Sequence, residues 1–337
     1  MSHQRISLSH VVLFLSLGLL LAYRVRGQEL TPDPGEPATR SFRLTYAVEL
    51  SGIPEDGDIR VWLPIPPSNI AQDVQLLDVD IPAKHEVTRE PVYGNEMLTF
   101  HFVEPPASKV SFVMTYHVVR REVRAFVDRQ PYAERLALNS EKFLLPNKNV
   151  PIVGIPTELI QDLPKRSDTV AAARLLYDLV DDYVRYDKSQ PGYGRGDVLW
   201  VCDSRFGNCT DFHSLFISLA RAQGLPARFE MGFPLPPKHG NGTMNGYHCW
   251  ASFYVKENGW IPVDISEADK HPELKEYYFG NLTEDRVTFT IGRDIELVPR
   301  QTGPPLNYFI YPYVEVGGTA LSSEQIHLQV SYDDENL

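Results

Sequence analysis

The sequence predicts an α+β chain: an antiparallel β-sandwich followed by a unit that mixes helices with strands. Three observations carry this. Residues 41–50 alternate apolar and polar with the period of a half-buried strand, and that pattern recurs up to residue 120. Two stripes of helical period lie between residues 167 and 223, and a series of strand-like segments follows the second of them. The 337 residues exceed the roughly 100–200 of one ordinary domain, so two packed units are expected. At 43% hydrophobic and 23% charged residues the chain is of globular composition, and its 27 prolines favour short strands joined by many loops.

Taken in order, residues 11–22 (VVLFLSLGLLLA) are an uninterrupted apolar run. It is short for a bilayer span, which needs roughly 20 residues, and suits the apolar stretch of a secretion signal. Residues 1–27 are therefore read as a signal peptide with Arg5 before the run and cleavage before Gln28, which makes the chain exported, periplasmic or extracellular. Arg24 and Arg26 after the run keep an uncleaved anchor open, the one route to a membrane association. Residues 28–40, rich in Pro and polar groups, read as a linker.

The sandwich is assigned to residues 41–120. Phe42, Leu44, Tyr46, Val48 and Leu50 point one way from the first strand, and Ile59, Val61 and Leu63, then Val110, Phe112, Met114 and Tyr116, repeat the pattern. Residues 121–164 form a connector. Ser167 or Asp168 caps a helix carrying Leu176, Leu179, Val180 and Tyr183 on one face and ending near Asp187. Asn208 caps a second, with a one-sided stripe of Phe212, Leu215, Phe216, Leu219 and Ala220, stopped by Gly224 and Pro226. Strands are expected at 228–233, 248–255, 260–265 and 286–290, and a last one at 326–332 within a C-terminal β extension, residues 296–337.

The net charge of −12, made more acidic by three when Arg5, Arg24 and Arg26 are removed, argues against a nucleic-acid partner. Three cysteines in an exported chain leave at least one thiol unpaired. Cys209 falls in the first turn of the second helix, where unpaired N–H groups and the helix dipole favour a thiolate. His248 and Asp264 follow on successive strand-like segments, giving a nucleophile, a base and an orienting carboxylate in the order Cys, His, Asp. The backbone N–H of Cys209 is a natural oxyanion donor at the same helix start.

Side-chain alternation constrains this set. A two-residue hairpin loop at Asn258 and Gly259 puts Asp264 opposite Phe253 and on the wrong face for His248. A five-residue loop from Val255 to Gly259 sets Asp264 opposite Trp250, with His248 on the same face at a diagonal of about 7–8 Å. The longer loop or a bulge is therefore predicted.

The segments RFGNCTDFHSLFISLARAQGLPARFEMGF, GYHCWASFYV and GWIPVDISEA resemble the transglutaminase-like core found in many bacterial exported proteins, over roughly residues 165–295. The stretch YAVELSGIPEDGDIRVWLPIPP is similar to the β-rich domain that often precedes it. The resemblance implies a papain-like α+β core, a helix bearing the cysteine packed on an antiparallel sheet, with Cys209, His248 and Asp264 on the catalytic positions. It implies thiol-dependent acyl transfer or hydrolysis at amide bonds of protein or peptide substrates. Transglutaminase, peptidase and amidase activities stay open, as does a noncatalytic cell-envelope binding module on the same scaffold.

One departure is Cys249, where the family expectation is a small apolar residue. Alternation points it away from the His248 face and so away from the nucleophile's role, and pairing with Cys202 would leave Cys209 as the free thiol. His213 and Asp211 share the helix with Cys209 but lack a strand-borne orienter, so a structural histidine or a substrate contact is expected. Trp200, Tyr193, Tyr247 and Trp250 are aromatic candidates for lining the cleft. A zinc site from Cys202, Cys209, His213, His248 and Cys249 is disfavoured by spacing, and no cofactor is expected.

Overall fold

The computed structural model of the chain describes residues 35–54, 57–103, 108–128, 140–164 and 166–335. The expected secretion signal, residues 1–27, and residues 28–34 of the expected linker lie outside them. Residues Pro37–Leu337 form one compact unit. Among the described residues no helix is long and apolar enough to cross a membrane.

The first part of the chain forms β1 (Thr39–Ser51), β2 (Ile59–Ile65), β3 (Gln72–Asp80), β4 (His85–Arg89), β5 (Glu96–Phe102), β6 (Lys109–Arg121) and β7 (Val123–Arg124). Helices α1 (Ile155–Glu158) and α2 (Thr169–Tyr183) follow, then β8 (Arg185–Tyr186), α3 (Val198–Ser204), β9 (Phe206–Gly207) and α4 (Cys209–Ala222). The sequence continues through β10 (Ala227–Pro234), β11 (Asn241–Met244), β12 (His248–Val255), β13 (Gly259–Val263), α5 (Ile265–Lys270), β14 (Asn281–Leu282) and β15 (Arg286–Ile291). It closes with β16 (Tyr313–Val316), β17 (Thr319–Ala320) and β18 (Ile326–Asp334).

Two five-stranded sheets, β11-β18-β1-β6-β3 and β17-β16-β2-β5-β4, make the sandwich. The alternation in β1 does what its period requires: Phe42, Leu44, Tyr46, Val48 and Leu50 are buried, while Arg43 is exposed. Their partners on β6, among them Val118, Tyr116, Met114, Phe112 and Val110, are buried opposite them. Burying each such large apolar side chain contributes about 1.5–3 kcal/mol. The segment 296–337 supplies strands to both sheets: β18 pairs with β1 over nine positions, and β16 with β2.

A third sheet, β13-β12-β10-β15, carries α4 on one face. Helix α2 ends at Tyr183 rather than near Asp187, because Val184 is extended and Arg185–Tyr186 pairs with Phe206–Gly207. Helix α4 is buried from Cys209 through Arg221. Its polar positions, expected to face solvent, are hydrogen-bonded inside the protein: Arg221 donates to the carbonyls of Ala227 and Leu145, and Ser218 to that of Pro151. An unmade bond at any buried position costs about 1–3 kcal/mol, so these partners make full burial tolerable.

The sandwich and the third sheet are tied by polar groups. Buried Arg40 on β1 holds Asp334 with Nε and Nη2, both at 2.8 Å, and Asp285 with Nη1 at 2.5 Å. Gln72 on β3 exchanges two hydrogen bonds with the backbone of Thr288 on β15, at 2.8 and 2.9 Å.

Candidate active site

Asn208 starts the site. Its Oδ1 accepts from the Thr210 N–H at 2.9 Å, and Asp211 answers by accepting from the Asn208 N–H at 2.9 Å, a capping box around the first turn of α4. Asp211 also accepts from Gly194 N (2.7 Å) and Gly196 N (2.9 Å) in the glycine-rich loop before α3. Gly196 has φ +56, and a Cβ there would lie 2.2 Å from Ser214 Oγ, so only glycine fits this approach. Asp211 thus organises the helix start and its carboxylate is fully occupied.

Cys209 is the first residue of α4 and is 3% exposed. The neighbouring Cys249 and His248 side chains, with the charges of His248 and His213, hold the thiol well below its ordinary range against the cost of burial.

His248 opens β12. Its Nε2 lies 2.7 Å from Asp264 Oδ2, and the Cys209 sulfur acts on the same ring. Burial pulls the imidazole down, but Asp264 and the Cys209 sulfur outweigh it and raise its pKa to about 10. The β12/β13 hairpin supplies this geometry. Val255 pairs with Gly259 around Lys256–Asn258 and Ala251 with Val263, so the register places Asp264 across from Trp250, the one that lets both side chains meet.

Asp264 leaves the strand to cap α5, its Oδ1 accepting from the Glu267 N–H and Ser266 Oγ, both at 3.2 Å. Its Oδ2 takes a second charged donor, Arg286 Nη1, at 2.8 Å. Although burial opposes ionisation, the charge and hydrogen bond of His248, then Arg286, hold this carboxyl far below the usual range. Arg286 escaped the sequence reading; a charged residue opening the otherwise uncharged strand RVTFTI was its one signal. The guanidinium also lies over the Trp250 ring, 5.0 Å from its centroid.

His213 faces the same carboxylate from the helix. Its Nε2 accepts from the Ile265 N–H at 3.0 Å, which a neutral ring does, and burial lowers its pKa to about 4.

Cys249 requires one correction. It does not pair with Cys202: all three cysteines are free thiols, and Cys202, pushed up to about 11 by burial, lies on α3. Its face is the one that alternation gives. Strand β12 does turn Cys249 toward α4, while His248 shares its face with Trp250 at a ring distance of 6.1 Å. Helix α4 packs on that strand, so residues on both of its faces act on the Cys209 thiol. Cys249 Sγ is 3.7 Å from Thr210 Oγ1 and 3.8 Å from His213 Nδ1.

Of the four aromatic candidates, two adjoin these residues. Tyr247 Oη lies 3.0 Å from both Asn208 Nδ2 and Thr210 Oγ1, and its ring meets Tyr308 and Tyr311. Trp250 donates to Glu230 at 3.2 Å beneath Arg286. Trp200 instead packs edge-on to Phe206, and Tyr193 is exposed. Ligand atoms of His248, Asp264 and Glu267 lie within 4.8 Å of one another, a different set from the zinc ligands weighed on sequence.

Residues 157–265 match the family model described as the transglutaminase-like superfamily. This segment is a transglutaminase-like core. A relative from Haemophilus influenzae, an uncharacterized protein, is 28% identical over 307 residues, 79% of this chain and 83% of its own. The uncharacterized protein YebA of Bacillus subtilis is 26% identical over 82 residues, 22% of this chain and 11% of YebA. A solved structure from Cytophaga hutchinsonii, provisionally described as a cysteine protease, aligns with TM-score 0.55 at 15% identity, covering 90% of this chain and 94% of that one. That likeness extends the shared fold beyond the transglutaminase-like core into the sandwich.

Proposed function

We propose that the protein is an exported thiol enzyme that cleaves or transfers acyl groups at amide carbonyls of protein or peptide substrates, with Cys209 as nucleophile, His248 as acid and base, and Asp264 as orienter. The observation that carries this reading is the arrangement of His248, whose Nε2 lies 2.7 Å from a buried carboxylate and whose ring acts on the Cys209 thiol at the start of α4. The Cys209 thiolate attacks the carbonyl carbon, the backbone N–H at the helix start receives the developing oxyanion, and the C–N bond breaks as His248 gives its proton to the departing amine. Water or a second amine then yields a proton to His248 and displaces sulfur from the thioester.

Asp264 keeps Nε2 protonated and the ring fixed, and Arg286 keeps Asp264 ionised. Export is supported by the apolar run at residues 11–22 behind Arg5.

The test is the pH dependence of Cys209 alkylation by an iodoacetamide-type probe, mapped by mass spectrometry, in the mature protein and in His248→Ala, followed by a screen of amide substrates. Rapid labelling below neutral pH that slows on loss of His248 is expected. Labelling like that of an ordinary thiol in both proteins would remove the enzyme reading and leave a binding module on this scaffold.

A further inference from the structure

The proposed chemistry uses one thiol of the site, yet the site contains two. Cys249 is buried and its Sγ is seated 3.7 Å from Thr210 Oγ1 and 3.8 Å from His213 Nδ1, the residues one and four positions along α4 from Cys209. One turn of α4 brings residues 209 and 213 to the same side of the helix. Cys249 therefore approaches that turn from the strand while its own backbone is fixed by pairing with Met231.

We propose that Cys209 and Cys249 are a redox pair, and that a hydroperoxide converts them to a disulfide which blocks the nucleophile reversibly. The inference rests on Cys209 being the reactive thiolate of the proposed function. In the first step the Cys209 sulfur attacks the outer oxygen of the hydroperoxide. The O–O bond breaks, an S–O bond forms, and the departing alkoxide or hydroxide takes a proton from His248; Cys209 becomes a sulfenic acid and the peroxide is reduced by two electrons. In the second, the Cys249 sulfur attacks the Cys209 sulfur, the S–O bond breaks, and the leaving hydroxide collects the Cys249 proton as water. The product is one S–S bond.

Burial makes Cys249 a poor thiolate by itself, since it pushes that thiol well above its ordinary range. It is thus unsuited to start the reaction and placed to finish it. A disulfide requires the sulfurs to close to about 2.05 Å, and Cys249 Sγ already packs within 4 Å of two side chains of the helix turn that Cys209 opens. Recovery follows when an external dithiol attacks the disulfide and restores both sulfhydryls. Cys202, on α3 and outside this contact, takes no part.

The experiment treats mature wild-type protein and Cys249→Ser with hydrogen peroxide, maps unreduced peptides by mass spectrometry, and measures Cys209 alkylation before oxidation, after it, and after dithiothreitol. The expected result in wild type is a linked Cys209–Cys249 peptide pair two hydrogens lighter than the thiols, loss of alkylation, and its return on reduction. Cys249→Ser should instead accumulate Cys209 sulfinic and sulfonic acids that dithiothreitol does not reverse. The wild-type mapping stands without the variant. Rapid alkylation of Cys209 before oxidation, with no Cys249 linkage afterwards, would overturn the redox pair and leave the acyl-transfer reading intact; a Cys209 inert before oxidation would overturn both.

Discussion

The helix side and the strand side of the site each present a buried histidine to Asp264, and the two are driven in opposite directions. His213, on α4, lies 3.8 Å from Asp264 Oδ1 and is lowered to about 4; His248, on β12, lies 2.7 Å from Oδ2 and is raised to about 10. Distance to the carboxylate is part of the difference, and bonding decides the rest. His213 spends its Nε2 as an acceptor for a backbone N–H, which only the neutral ring can do. His248 has a carboxylate on Nε2 and feels the Cys209 sulfur, both of which favour the charged ring. Two buried rings beside one carboxylate are thus driven to opposite protonation states.

Removing the strand-side partners should have the largest effect. Asp264→Asn keeps the shape but offers an amide where His248 needs a carboxylate, and turnover of an amide substrate should fall by about 10⁴-fold, as in other triads with that change. His248→Ala should cost about 10²–10⁴-fold and raise the pH midpoint of Cys209 alkylation toward an ordinary thiol. In wild type the alkylation rate should stay level through neutral pH, and acid transfer to the leaving amine should fail as pH passes about 10, where His248 loses its proton.

Arg286→Met sharpens the comparison from beneath. Loss of a partner from a buried ion pair costs about 3–5 kcal/mol, and here His248 remains to hold Asp264, so urea unfolding should show the lower end of that range. On the helix side the signature is a pH-dependent stability. The His213 pKa is lower in the folded state than the ordinary 6.5, so the unfolded chain binds the extra proton. Its contribution is present above about 6.5 and is lost as pH falls toward 4, by roughly 3 kcal/mol in all. His213→Gln should flatten that part of the unfolding free energy measured between pH 7 and 4. The smallest effect is at the cap: Asn208→Ala should lower stability by about 1 kcal/mol in denaturant unfolding.

These contrasts also show where the sequence was legible. Local rules exposed β1 through its alternation, the start of α4 through Asn208, and the hairpin register through the demand that His248 and Asp264 share a face. Each needs only neighbours in the chain or one turn between strands. Arg286 joins the site from a strand 22 residues beyond Asp264, and its position is set by β15 pairing with β10, which no local pattern encodes. The setting of Cys249 was illegible for a different reason: alternation names its face correctly, yet says nothing of the Thr210 and His213 side chains that lie across it. Full burial of α4 was hidden as well, since Ser214, Ser218 and Arg221 look like a solvent face until Arg293, Pro151 and Leu145 arrive as their partners.

The pairing of β1 with β18 has a consequence in time. Phe42 is opposite Asp334 and Leu50 opposite Ile326, so one of the two ladders on the central strand β1 joins segments separated by almost the whole chain. During synthesis, β1 and β6 can associate early, but one side of β1 stays open until the final strand has left the ribosome. Ladders of such long sequence separation close late, because the entropy of the intervening loop must be overcome first. Until then the chain carries an exposed sheet edge of nine residues, which favours pairing with other chains and gives an assisting chaperone a defined target.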